Sequence, residues 1–164
     1  MAVVDGAQLP LGINGVRVYN EYLYWTNTFA PSIYRLRITP GGHRTPGAVS
    51  ELISHVATAA LDHLYFGPGA NDIIWTPTNV DNMLLAVEDR VNGTATVVDG
   101  AAGELTVAGS TACRFGRGPE DGEILYVVTS EAQASPANGT ITEGAKVVAV
   151  DISSYVSESS KSQF

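Results

Sequence analysis

The chain has 164 residues, 45% of them hydrophobic and 16% charged, enough apolar material for a packed core and too much for a disordered polymer. Seventeen acidic against nine basic residues leave a net charge of −8, which argues against nucleic acid and an anionic membrane surface as partners. The single cysteine, Cys113, rules out an intrachain disulfide, and its apolar setting reads as a small buried hydrophobe.

The N-terminal run MAVVDGAQLP lacks the basic and apolar regions of a signal peptide, so a cytoplasmic location is expected for the chain as written, and secretion only if a leader was removed. The first strand reads Ile13 to Val18. It is followed, after a short polar turn, by the aromatic run Tyr22 to Asn27 and then by Ile33 to Ile38. Ser50 to Val56 is placed as a fourth strand, although ELISHVATAAL has the spacing of a short helix as well. The same order returns as Asp62 to Phe66, Ile73 to Thr78, Met83 to Glu88 and Thr94 to Val98, and again as Thr111 to Phe115, Ile124 to Thr129 and Lys146 to Ile152. Tyr22, Ile73 and Ile124 stand 51 positions apart, and a strand-rich repeat of that period reads as propeller blades with strands A, B, C and D.

The third unit has no fourth strand of its own, whereas Ala2-Val3-Val4-Asp5-Gly6 repeats Thr96-Val97-Val98-Asp99-Gly100 from the end of the second unit. The predicted order is therefore D-ABCD-ABCD-ABC: an all-β half of a six-bladed β-propeller over residues 1–152, with a polar tail over 153–164. Propellers close with about four to eight blades, so a second chain is required. A homodimer is expected, each copy's first strand completing the other's last blade by strand exchange. Asn92-Gly93-Thr94 and Asn138-Gly139-Thr140 have the form of glycan acceptors but read as tight turns.

Gly12-Ile13-Asn14-Gly15-Val16-Arg17-Val18 with Glu21-Tyr22-Leu23-Tyr24-Trp25-Thr26-Asn27-Thr28 resembles the fungal branch of the gluconolactonase and senescence-marker-protein family, related to strictosidine-synthase-like propellers. So do Leu61-Asp62-His63-Leu64, Thr78-Asn79-Val80-Asp81-Asn82 and Lys146-Val147-Val148-Ala149-Val150-Asp151, matching the second half of that fold. The resemblance implies a central-channel cation, Ca²⁺ or Mg²⁺, held here by Asn14 and Asp62. The glutamate of the family's first blade has no counterpart, so that two copies would present Asn14, Asp62 and Thr111 twice each. The plain alternative is that Asn14 and Asp62 satisfy strand ends and turn amides.

Three functions follow as expectations. A lactone or ester hydrolase would use Asn14 and Asp62 as catalytic residues around the cation. A metal-independent enzyme of fungal secondary metabolism would orient a small apolar precursor for cyclisation or condensation, including the hetero-Diels–Alder type. A binding scaffold would use only the rim. In either enzyme Asn27, Tyr65, Asn79, Thr111 and Arg114 are the expected substrate contacts. Because adjacent residues of a strand face opposite ways, His63 is not expected to act with Asp62. His43 and His55 read as exposed, and Tyr24, Trp25, Tyr65, Phe66 and Trp75 in the first place as packing between blades.

Overall fold

The computed structural model describes residues 11–67 and 72–155, which form three antiparallel sheets. The first holds β1 (Ile13–Tyr19), β2 (Tyr22–Asn27), β3 (Ser32–Arg37) and β4 (Glu51–His55) in that spatial order. The second holds β5 (Tyr65–Phe66), β6 (Ile73–Thr78), β7 (Met83–Glu88) and β8 (Ala95–Gly100), and the third β9 (Ser110–Phe115), β10 (Ile124–Thr129) and β11 (Val147–Asp151). The chain is all-β, and Glu51–His55 is a strand rather than the helix its spacing also allowed. The described residues do not close into a ring, so the expected propeller is not seen as such. The proposed strand Ala2 to Gly6 lies outside the described residues.

Local chemistry accounts for the simplest join. Asn20 and Glu21 both have positive φ, 43° and 66°, forming the two-residue turn whose twist matches that of β1 and β2. Asn92 and Asn138 likewise take φ of 59° and 51°, the left-handed conformation that asparagine tolerates in turns.

The second sheet is buried on both faces. Ile74, Leu85 and Val87 join Tyr24, Ile33, Ile53 and Leu64 in the core shared with the first sheet. Trp75, Leu84 and Ala86 join Cys113, Phe115, Leu125 and Val127 in the core shared with the third. Alternation along β6 and β7 thus serves two cores, which is why both strands are buried at nearly every position. The outer faces of the first and third sheets are open: Val16 is 45% and Val18 66% exposed on one, Tyr126 37% and Val147 65% on the other. Past Ile152 the chain remains attached, for the Tyr155 ring packs edge-on against Trp75 at 5.4 Å, three residues into the expected tail.

One strand is much shorter than expected. Asp62 to Phe66 was to be a full strand, yet only Tyr65 and Phe66 pair with β6. Opposite the rest stands Pro77, whose carbonyl accepts the Asp62 N–H at 3.1 Å and whose nitrogen, on the same edge, has no hydrogen to give. The ladder stops there, and Leu61–Leu64 runs as irregular backbone.

Candidate functional site

Strands β1, β5 and β9 each end their sheet, and side chains and amides pass between them. In β1 the register against β2 shifts between Ile13 and Val16, a bulge at Asn14 and Gly15 opposite Thr26. The Thr26 hydroxyl accepts the Gly15 N–H at 2.9 Å and donates to the Asp62 carbonyl at 2.7 Å, tying the bulge to the irregular segment. Thr76 donates its hydroxyl to the His63 carbonyl at 2.9 Å, and the His63 N–H donates to the Thr111 carbonyl at 3.3 Å. Leu61 N–H reaches Thr28 O at 3.3 Å. The segment therefore lacks a ladder but has partners for its backbone groups on all three sheets, and it is held firmly.

That segment carries the polar centre. Asn14 Nδ2 donates to Asp62 Oδ1 at 3.0 Å, and His63 Nδ1 lies 3.0 Å from the same oxygen. An ionised carboxylate only accepts, so Nδ1 carries the proton and Nε2 is left to act as an acceptor, or as a donor once the ring is protonated. The Asp62 side chain is 15% exposed and that of His63 44%, so the carboxylate is sheltered and the imidazole is reachable. The expectation that Asp62 and His63 face apart is corrected: alternation requires a strand, and Pro77 prevents one here.

Beside this centre is an aromatic one. The Tyr65 ring lies 6.3 Å from Phe115, with the guanidinium of Arg17 5.5 Å and that of Arg114 5.9 Å from its centroid. Tyr65, Phe115, Gly67, Gly116, Gly118 and Arg117 contribute to a shallow cleft of about 300 Å³. Its glycines bring the walls close: a Cβ on Gly116 would overlap the Asp121 carboxylate, and one on Gly67 would stand 2.6 Å from Trp75 Nε1.

Of the expected contacts, Asn14 and Asp62 meet directly, Thr111 joins them through its carbonyl, and Tyr65 meets Arg114. Asn27 is buried at the end of β2, opposite Ile13, with its Oδ1 lacking a partner among the described residues. Asn79 sits in the turn after β6, and no contact among the described residues brings it to this set. Sequence reasoning missed His63 as a partner of Asp62, and it missed Arg17. The Arg17 signal was available, because Arg17, Tyr65 and Arg114 follow Asn14, Asp62 and Thr111 by three residues in every unit.

The expected Ca²⁺ or Mg²⁺ site does not fit these residues. Asp62 Oδ1 already takes two hydrogen bonds, Asn14 turns its nitrogen rather than its oxygen to it, and among the described residues no three His, Cys, Asp or Glu side chains are grouped for a metal.

The fold and site define an all-β protein of packed antiparallel sheets with a polar and aromatic site on adjoining edge strands. It is 33% identical over 119 residues, 71% of its length, to a protein of Phoma sp named "Putative hetero-Diels-Alderase", of which the match covers 32%. It is 29% identical over 155 residues, 90% of its length, to "Putative hetero-Diels-Alderase asR5" of Sarocladium schorii, of which the match covers 38%. The chain thus spans about a third of the length of these relatives, and no family model matches it. The gluconolactonase and senescence-marker resemblance is overturned by these relatives, and the hydrolase reading loses its support. Its motifs spell out an edge strand, a tight turn and a buried second strand, which packing demands whatever the chemistry.

Proposed function

We propose that this chain supplies part of the wall of a site where a conjugated natural-product precursor is held for a cyclisation of the hetero-Diels–Alder type. The observation that carries the reading is the similarity to two proteins named for that reaction. A site with hydrogen-bonding groups and aromatic faces on tied-down edge strands supports it. In such a reaction a four-atom conjugated unit and a two-atom unsaturated unit, one bearing a heteroatom, exchange three π bonds for two σ bonds and one π bond. All atoms are retained and nothing is oxidised or reduced. Holding the two units in near-attack geometry is worth up to about 7–11 kcal/mol, and a donor at the heteroatom stabilises the charge that builds there. His63, fixed through Nδ1 by Asp62, offers that donor at Nε2 only in the imidazolium form, and Tyr65 and Phe115 offer faces for the conjugated unit.

The assembly belongs to the same proposal. The open apolar faces of the first and third sheets are those that further sheets of this kind would cover, and β11 has a free edge among the described residues. A second copy of the chain would supply three more sheets and enclose the edge strands in a channel. Light scattering on the purified chain should give twice 17.2 kDa. A soluble monomer would dismiss the homodimer. For activity, the chain is incubated with a 1-oxadiene and an electron-rich alkene, and the adduct is resolved by chiral chromatography. An enantiomeric excess that falls in His63→Gln is expected; a racemic adduct formed at the uncatalysed rate counts against the proposal.

A further inference from the structure

Positive charge is scarce in this chain, and its placement is selective. Arg35 pairs with Glu51 at 2.8 Å and Asp89 at 3.2 Å, Arg37 with Glu21 at 3.0 Å, Arg90 with Glu88 at 2.6 Å and Lys146 with Glu143 at 2.6 Å. Among the described residues, Arg17, Arg44, Arg114 and Arg117 have no carboxylate within ion-pair distance. Three of those four gather at one place: Arg17 from β1 and Arg114 from β9 beside the Tyr65 ring, and Arg117 in the cleft that Tyr65 lines. The nearby carboxylate of Asp121 is engaged by the Gly118 N–H at 2.6 Å and the Tyr126 hydroxyl at 3.3 Å rather than by an arginine.

With seventeen acidic residues available, three neighbouring guanidiniums left without one are open to an external oxyanion. A cation on an exposed aromatic face gains less than a guanidinium gains from a two-point contact with a carboxylate-like group sheltered from water. The flat Tyr65 and Phe115 rings between these charges select the rest of such a ligand, which must be planar.

We infer that Arg17, Arg114 and Arg117 around Tyr65 form a binding site for a planar conjugated organic anion, such as an aryl carboxylate, phenolate or enolate. This deepens the cyclisation reading, since it makes the conjugated partner an oxyanion whose oxygen the arginines hold. It stands or falls separately from that reaction.

The probe is salicylate, titrated into the full chain by calorimetry and followed by NMR line shifts, with salicyl alcohol as the neutral analogue. Saturable binding is expected, weakened about tenfold or more in Arg17→Gln and in Arg114→Gln, unchanged in Arg44→Gln, and weakened by salt. Salicyl alcohol should bind about tenfold more weakly than salicylate. Far-ultraviolet circular dichroism confirms that each variant is folded, and Arg117→Gln serves as the third arm if either edge-strand variant is not. No saturation below about 10 mM, equal binding of the alcohol, or binding indifferent to all three arginines overturns the inference. Arginine-dependent salicylate binding without stereoselective cycloaddition would leave the anion site standing and remove the reaction. Stereoselective cycloaddition without arginine-dependent salicylate binding would do the reverse.

Discussion

Gly15 is where the first sheet meets the segment that carries Asp62 and His63, and a single methyl group there tests that junction. A Cβ built on Gly15 would lie 2.6 Å from His63 Cα, 2.9 Å from Leu64 N and 3.0 Å from His63 C. Carbon atoms pack at about 3.5–4.0 Å, so the two segments must part by about 1 Å. All three neighbours are backbone, so no side chain can swing aside. Parting them strains the Thr26 bridge, whose two hydrogen bonds of 2.9 and 2.7 Å cross this gap, and the Asn14 to Asp62 bond beside it. Overpacking of this kind costs about 1–3 kcal/mol. For a chain of this size that lowers the melting temperature by roughly 2–12 °C. Gly12 is the control, because nothing lies within 4 Å of a Cβ there and Gly12→Ala should stay within about 0.5 kcal/mol of wild type. Thermal and urea unfolding of Gly15→Ala, Gly12→Ala and wild type, followed by circular dichroism, makes the comparison. If Gly15→Ala melts with Gly12→Ala, the close approach described here is wrong.

Two further outcomes rest on buried titratable groups. Asp89 sits between the first two sheets, accepting from the Tyr24 hydroxyl at 2.7 Å and from Arg35 at 3.2 Å, yet burial outweighs both and raises its carboxyl above the usual range. A carboxyl raised in the folded state contributes stability that is complete below its unfolded value and is lost as pH rises through the folded one. The unfolding free energy of wild type minus that of Asp89→Asn should therefore be larger near pH 3.5 than at pH 7; urea titrations at both pH values check it, and a difference that grows with pH would contradict the burial argument. Burial also pushes the Cys113 thiol up to about 12, with Sγ turned to the Trp75 carbonyl at 3.8 Å. Iodoacetamide at pH 8 should leave it unmodified in the native chain and alkylate it in urea, as mass spectrometry will show; rapid native labelling would place the thiol elsewhere.

Much of the fold was legible in the sequence because its signals are local. Strands β2, β6, β7 and β10 could be placed to the residue, since each is an apolar or aromatic run bounded by turn residues. Two central cores demand residues that are apolar on both faces, and the runs Ile73 to Trp75 and Met83 to Val87 show that without any knowledge of neighbours. Asn14 and Asp62 were singled out together only as the cation ligands that the family resemblance implied, and they meet instead as a hydrogen-bonded pair 48 residues apart.

What the sequence could not carry is anything that depends on how one sheet's backbone meets another's. Pro77 reads as an oddity within β6, and only its pairing shows that it ends β5 and frees Asp62 and His63 to turn the same way. The metal expectation failed for a similar reason: residue types at the right spacing do not say which atoms face each other, and here Asp62 Oδ1 is taken by an amide and an imidazole. Arg17 and Arg114 stand 97 positions apart and look like ordinary surface charges until Tyr65 comes between them. Composition and periodicity thus determined three repeated sheets and their cores. The site was decided by the tertiary structure, because it is made from the edges those sheets leave unpaired, and an edge exists only once the sheets have packed.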